Sequence, residues 1–479
     1  MQTRRDQLQA YRFLIKRILA SLLGNHPESP EQPMRRVMVS TFSGIMVGIL
    51  ACAGVGLYGW LTGNSARAWQ NGGALIVEKE TGTRYIYRAD EKILNPIVNF
   101  TSARLLLGDE VKIQRVSRES LADTPRGPAL GILGAPDSLP DKDNIVSKPW
   151  TICSKEVAAD QGTKPEVDVL VGRTDLGTTD VGDQALVVSS GGNTLWYVGR
   201  GTRHETDKPS MRSLLLPDLA NTTVGLAWLN AVAPGEALKP LVISARGNPG
   251  LEVAGNPTTI GQVFTTRAIN NEVAWYVMQA DGLSQITETQ AALLYGAEVN
   301  FQPAGSTGAT EVSISAINQA PQSSKQLDTQ GLPREIPKSL GLVSGAGATV
   351  CAWLDEPGKP LRITTGGELP EAAAGTESDA GVGTGLTADH VTVPSGQAAI
   401  VAARPSADSP PSAFYLVTDA GVKFPVPNED TLAKLGYGGV KPVEVPSAIL
   451  RLVPQGPALN VEDAGRPAPV APPVAAPAK

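Results

Sequence analysis

The strongest pattern along the chain is a run without charge. From Val37 to Ala66 there is no Asp, Glu, Lys or Arg, and its apolar part, VMVSTFSGIMVGILACAGVGLYGWL, extends 25 residues to Leu61. As a helix this part would rise about 37 Å, enough to cross a ~30 Å hydrocarbon core with some tilt. Tyr58 and Trp60 fall where an interfacial aromatic belt belongs. Ala66-Arg67-Ala68 resembles a signal-peptidase site, but the leader is too long and the apolar run exceeds the ~7–15 residues of a signal h-region. A retained, single membrane-spanning helix is therefore expected. Ser40, Gly44, Gly48, Cys52 and Gly56 recur at every fourth position and include a GxxxG. Such a stripe of small residues lets a second helix approach closely in lipid, although glycine is common in membrane helices in any case.

Upstream, TRRDQLQAYRFLIKRILASLLG (residues 3–24) has the period of a helix. Leu8, Tyr11, Ile15, Ile18 and Leu22 form one apolar stripe, and Arg5, Arg12 and Lys16 lie away from it. Thr3 with Asp6 gives a capping-box pattern, Gly24 ends the pattern, and Pro27, Pro30 and Pro33 forbid a continuous helix into the apolar run. A lone helix cannot bury its own stripe, so it must lie on lipid headgroups or dock on another protein.

Downstream, one pattern occurs four times, beginning near Arg84 (RYIYRADEKILNPIVNFTSARLLLG), Leu195 (LWYVGRGTRHETDKPSMRSLLL), Ala274 (AWYVMQADGLSQITETQAALLYG) and Ala413 (AFYLVTDAGVKFPVPNEDTLAKLGYGG). Each copy opens with a short aromatic and β-branched strand. A polar turn, a short extended piece and a short helix follow, with helix starts at Asp207, Thr287 and Asn428. A ββα unit of this size cannot bury a full core alone and should pack on neighbours. The spacing is irregular, which excludes a solenoid or propeller of constant period. The long intervals near residues 125–190 and 310–405 each hold one cysteine, Cys153 in KPWTICSK and Cys351 in GATVCAWL, with strand-like flanks. If this part lies outside the cytoplasm the two are natural disulfide partners, and two free buried thiols are the alternative. The intervals then form two halves of one central β-rich domain. Residues 370–389 are rich in Ala, Gly, Ser and Thr and are expected to form an exposed loop, and RPAPVAPPVAAPAK at 466–479 to be a Pro/Ala tail.

Charge sharpens the topology. Residues 1–36 carry seven Lys/Arg against three Asp/Glu, and the remainder carries 34 against 44. By the positive-inside rule the leader is cytoplasmic and the bulk of the chain lies across the membrane. The overall net charge of −6 argues against a general nucleic-acid binder. Gly and Pro make up 88 of 479 residues, which argues against a mainly helical protein.

The search for chemistry yields no catalytic, cofactor-binding or metal residues. His26, His204 and His390 show no ligand spacing, and the latter two are expected at the surface. No G-x-S-x-G and no G-x-x-x-x-G-K-[ST] is present. Gly358-Lys359 is followed by Pro360, and the glycines at 345–347 and 381–385 suit turns better than a phosphate cradle.

The chain resembles, nearly end to end, the EccB family of type VII (ESX) secretion systems. The resemblance rests on YRFLIKRI from Tyr11 ahead of a single span, VEKETG from Val77, NPIVNFTSARL from Asn95, RGPALGILGAP from Arg126, WTIC ending at Cys153 and VPNED from Val426. The resemblance implies an inner-membrane protein with its N-terminus in the cytoplasm and its bulk in the periplasm. It also implies assembly with the EccC motor ATPase, EccD and EccE into a hexameric complex, self-association, and the mycosin protease as a periplasmic neighbour. Family members are sometimes named ATPases, but no residue here matches a nucleotide motif.

The expected architecture is α+β, with four small repeats around a disulfide-bonded centre. Residues 1–36 form the cytosolic helix and linker, 37–62 the span and 63–122 a linker and repeat 1. The central halves fall at 123–190 and 310–408, repeat 2 at 191–245, repeat 3 at 246–309 and repeat 4 at 409–460. A disordered tail covers 461–479. The function expected is a structural subunit that anchors and multimerises the export machine. An ATPase with an unrecognised site and a cell-wall-binding module are the alternatives.

Overall fold

The computed structural model describes residues 4–24, 35–62, 68–159, 162–191, 194–216, 220, 222–296, 308–327, 331–336, 338–340, 349–369, 386–406 and 409–469. Two helices, Arg4–Gly24 and Arg35–Thr62, precede a β-rich body whose strands form five sheets among the described residues.

Four of the sheets share one plan. In the first unit, Ala74–Glu78 pairs antiparallel with Arg84–Arg88, which pairs antiparallel with Ile93–Pro96. The helix Phe100–Leu107 follows, and Lys112–Val116 returns parallel to Ala74–Glu78. The second unit repeats this with Gln184–Ser189, Leu195–Gly199, Thr202–Thr206, the helix Lys208–Ser213 and Thr222–Thr223. The third uses Val263–Arg267, Val273–Gln279, Gly282–Ile286, the helix Glu288–Gly296 and Thr310–Glu311. The fourth uses Ala398–Arg404, Ala413–Thr418, Lys423–Val426, the helix Glu429–Leu432 and Val443–Pro446. The aromatic strand seen in the sequence is thus the second strand of each unit. The opening strands of the second and fourth units lie before residues 191 and 409, so boundaries at those positions cut through two sheets.

The helix starts follow from local chemistry. Asn99, Asp207 and Asn428 each accept the backbone N–H of the residue three positions on, at 2.9, 2.8 and 2.8 Å. Thr287 and Gln290 form a full capping box, with 3.2 Å from the Gln290 N–H to the threonine hydroxyl and 2.7 Å from the Thr287 N–H back to the glutamine carbonyl. Each cap contributes about 1 kcal/mol.

The fifth sheet is built from both intervals. Trp150–Ala158 pairs with Thr163–Val171 on one side and Thr349–Leu354 on the other, and Arg362–Thr365, Thr179–Asp180 and His390–Thr392 complete it. Cys153 lies opposite Cys351 in the ladder, and the two are joined by a disulfide with 4.0 Å between Cα atoms. The bridge spans 198 positions of chain. In the chain-entropy account, closing such a loop in the unfolded ensemble contributes about 5 kcal/mol.

Strand alternation divides the packing. Trp150 and Ile152 face a core shared with Leu186, Val188 and Trp228 of the second unit and Val401, Val417 and Ile449 of the fourth. The Trp228 indole donates to the Ile152 carbonyl at 3.1 Å. Cys153 and Cys351 face the other way, with Leu170, Leu176 and Trp353. The first unit docks on the fourth through Leu105 and Ile132 against Leu435 and Tyr437. The third docks on the second through Leu293 against Met211 and Leu214.

Two expectations of irregular structure need correction. Residues 370–385 of the proposed loop lie outside the described residues, but Asp389 is tied to the central sheet: its N–H donates to Val167 at 2.8 Å and its carboxylate accepts the Val167 N–H at 2.7 Å. Residues 461–469 do not open a disordered tail. Asn460 caps a short helix, Val461–Ala464, and Ala464 is fully buried, so this part of the chain has a partner to fold against.

Candidate assembly surfaces

The helix Arg4–Gly24 carries its stripe in the open. Leu8, Tyr11, Ile15, Ile18 and Leu22 are all exposed, from 39 % at Ile15 to 77 % at Leu22, and Leu14 and Leu19 widen the same apolar sector. Burying such side chains stabilises an interface by roughly 1.5–3 kcal/mol each, so an uncovered stripe is a strong drive to associate.

The helix Arg35–Thr62 is long and apolar enough over Val37–Leu57 to cross a membrane, and no part of that stretch is buried inside the protein. Ser40, Gly44, Gly48, Cys52 and Gly56 all lie exposed on it. A Cβ built on Gly44, Gly48, Gly54 or Gly56 meets nothing within 4 Å, so a neighbouring backbone could come close there. The Ser40 and Thr41 hydroxyls donate to the Val37 carbonyl at 2.9 and 2.7 Å, which satisfies them within the helix. Cys52 is a free thiol.

Polar bonds tie residues 126–132 onto the first unit and continue across its seam with the fourth. Asn95 donates to the Pro128 carbonyl at 2.9 Å and Asn99 to the Ile132 carbonyl at 2.7 Å. The Ser102 hydroxyl accepts the Ile132 N–H at 2.9 Å. Arg104 reaches across to the Leu435 carbonyl at 2.7 Å. In return the Tyr437 hydroxyl donates to Pro140 and Lys142 to Gly438, both at 2.9 Å. Burial pushes the Tyr437 phenol well above its usual range. Gly127 is obligatory, because a Cβ would lie 2.3 Å from the Asn95 amide. The NPIVNFTSAR and RGPALGI stretches are therefore two sides of one joint within the first unit.

Several buried polar groups were not legible in the sequence. His204 is no surface residue: it lies on the strand Thr202–Thr206 and is only 1 % exposed. Its Nδ1–H donates to the Glu236 carbonyl at 2.7 Å, its Nε2 lies 3.1 Å from the Thr202 hydroxyl, and burial lowers its pKa. His390 is half-buried on the central sheet, 4.0 Å from Glu166. Asp168, next to it in register, is buried against Lys155 at 3.1 Å, and burial raises its pKa. Lys423 donates to the Leu450 and Val453 carbonyls at 2.5 and 2.8 Å, capping the helix Ser447–Leu450, and burial pulls its pKa down to about 8. His26 lies outside the described residues.

Among the described residues, no group of three or more His, Cys, Asp or Glu is placed to hold a metal. Gly358-Lys359 forms a hairpin turn, with Gly358 at φ +79° and Lys359 paired to Glu356 at 2.6 Å. The glycines at 345–347 and 381–385 lie outside the described residues.

Fold and surfaces together define a class: a β-rich body of small sheets, cross-linked once, carried behind a helix apolar enough to span a membrane. Within that class the chain belongs to the family described as "Type VII secretion system ESX-1, transport TM domain B", which it matches over residues 1–470. It is similar to the "ESX-1 secretion system ATPase EccB1" of Mycolicibacterium smegmatis (strain MKD8), with 27% identity over 96% of this chain and 94% of that one. It is also similar to the "ESX-3 secretion system ATPase EccB3" of Mycobacterium tuberculosis, with 29% identity over 96% of this chain and 88% of that one. In fold it matches a chain in the structure of an intact ESX-5 inner membrane complex, with a TM-score of 0.64, 24% identity, and coverage of 100% of this chain and 98% of that one. A chain of the periplasmic assembly from the ESX-5 inner membrane complex gives a TM-score of 0.60 at 25% identity, covering 83% of this chain and 96% of that one.

Proposed function

We propose that this chain is a structural subunit of a type VII secretion complex in the inner membrane, anchoring and multimerising the part of the machine outside the cytoplasm. The observation that carries the reading is the pair of helices, Arg4–Gly24 and Arg35–Thr62, exposed at every residue whose burial is described and joined to a folded, cross-linked body. Both helices need partners, whereas the body has its own cores.

The basic leader, ending in Arg35 and Arg36, stays in the cytoplasm, and the helix stripe at Leu8, Tyr11, Ile15, Ile18 and Leu22 docks on the motor EccC or on EccD. The span packs through the stripe from Ser40 to Gly56. The body lies in the periplasm, where the Cys153–Cys351 bridge is chemically at home. There it associates with further copies, with EccE, and with the mycosin protease as neighbour. The relatives carry ATPase in their names.

Protease added to intact spheroplasts tests the topology. The body should be degraded while a tag at the N-terminus survives. Protection of the body until the membrane is opened would sink the reading.

A further inference from the structure

The first unit stands next to the apolar helix in the chain, yet it is completed by the far end of the chain. Its third strand is not a bare edge. Leu94 and Ile97 form parallel bridges to Arg126 and Leu130, and Leu130 forms an antiparallel bridge to Pro467. The Leu130 N–H donates to Pro96 at 2.8 Å and the Val98 N–H to Leu130 at 3.1 Å. On the outer side the Ala468 N–H donates to Ala129 at 2.7 Å and the Gly131 N–H to Arg466 at 3.4 Å. Residues 466–468 are thus the outermost strand-like segment of the first unit.

The helix just before it makes the same attachment. Asn460 accepts the Asp463 N–H at 2.7 Å, and Ala464 is buried in one core with Leu105 and Ile132. Arg466 pairs with Asp463 at 2.7 Å and with Glu462, which sets the turn into residues 466–468. In the other units the third strand is bridged to the segment after that unit's second helix, as Thr206 is to Leu238, Leu283 to Gln322 and Lys423 to Gln455. Among the described residues, none of those three segments carries a further bridged segment from a distant part of the chain.

We infer that residues 460–469 are a C-terminal latch, and that the first unit closes only when the end of the chain docks on it. The attachment is one short helix and two backbone hydrogen bonds, whereas the central sheet is held by long ladders and a disulfide. Such a segment belongs to the low-stability end of a fold and can open by itself. With the helix Arg35–Thr62 as anchor, the unit next to it in sequence stays unfinished until residues 460–469 arrive. The inference rests on these contacts and not on the proposed role in secretion.

Amide hydrogen exchange of the full chain in detergent tests it, reading residues 94–107 and 126–132 against residues 150–158 as reference. A chain ending at Pro469 should exchange like the full chain. A chain ending at Asn460 should exchange roughly tenfold faster in the first two segments with the reference unchanged. A synthetic peptide of residues 459–469, added in excess, should reverse the effect. A single substitution reads the same contact: Ala468→Pro, which removes one donor, should accelerate residues 129–132 by roughly threefold. If the chain ending at Asn460 does not fold, that single substitution decides alone. Unchanged exchange in residues 94–107 and 126–132, or equal acceleration of residues 150–158, would overturn the latch.

Discussion

Arg104 donates a hydrogen bond to the carbonyl of Leu435 across 331 positions of chain, joining the helix of the first unit to the end of the helix of the fourth. Gly436, the next residue, has φ +91°, and a Cβ there would lie 2.7 Å from the Arg104 guanidinium. The bond and the glycine are one device: the left-handed turn presents the carbonyl, and the missing side chain makes room for the arginine.

Arg104→Met should therefore lower stability by about 1.5–3 kcal/mol, the range for a hydrogen bond to a charged group. Gly436→Ala should lower it comparably through strain and the clash. Thermal or denaturant unfolding of the detergent-solubilised chain measures both. The double variant should cost less than the sum of the two, since they act on one contact. Full additivity would show that the contact is not shared.

The Cys153–Cys351 bridge lies between two fully buried sulfurs. Mild reductant without denaturant should leave it intact, and thiol labelling should detect only Cys52. Replacing both cysteines by serine should lower stability by up to about 5 kcal/mol. Rapid labelling of Cys153 or Cys351 in the folded chain would contradict the burial.

Lys423 gives a pH dependence with a definite sign. Its pKa is about 8 in the fold and ordinarily 10.5. Between those values the unfolded chain binds more protons than the folded one, so the group's contribution rises with pH through that window and is lost as pH falls to 8. The full span is worth about 3 kcal/mol. Lys423→Met should flatten this rise, while leaving the Leu450 and Val453 carbonyls without their donor and so lowering stability at pH 9–10. An unchanged pH profile in the variant would refute the assignment.

Gly44→Leu with Gly48→Leu should leave the fold of the body unchanged, because among the described residues a Cβ at either site meets nothing within 4 Å beyond its own helix turn. The same pair should weaken co-purification with other membrane subunits. Undiminished recovery would show that the stripe faces lipid.

What could be seen in the sequence was whatever has a local signature. The long uncharged run, the stripe from Leu8 to Leu22, the caps at Asp207, Thr287 and Asn428, and the two cysteines in apolar flanks all announce themselves within a few residues. The opening strands of the units do not. Ala398–Arg404 is AAIVAAR, six of whose residues are buried on both faces of a sheet, so it lacks the alternation of a half-exposed strand. The joint between Arg104 and Leu435 is invisible for another reason: it depends on how distant units dock, and no local period encodes that. His204 and Lys423 carry no local sign of burial, because a polar residue type argues for the surface, and only the fold reveals the carbonyls that make burial tolerable.

The most direct test of the account is the native mass of the membrane complex purified through this chain. The subunit reading predicts a species far above the 50.0 kDa of the single chain, containing several copies of it with other membrane subunits. A uniform particle holding one copy and nothing else would contradict it.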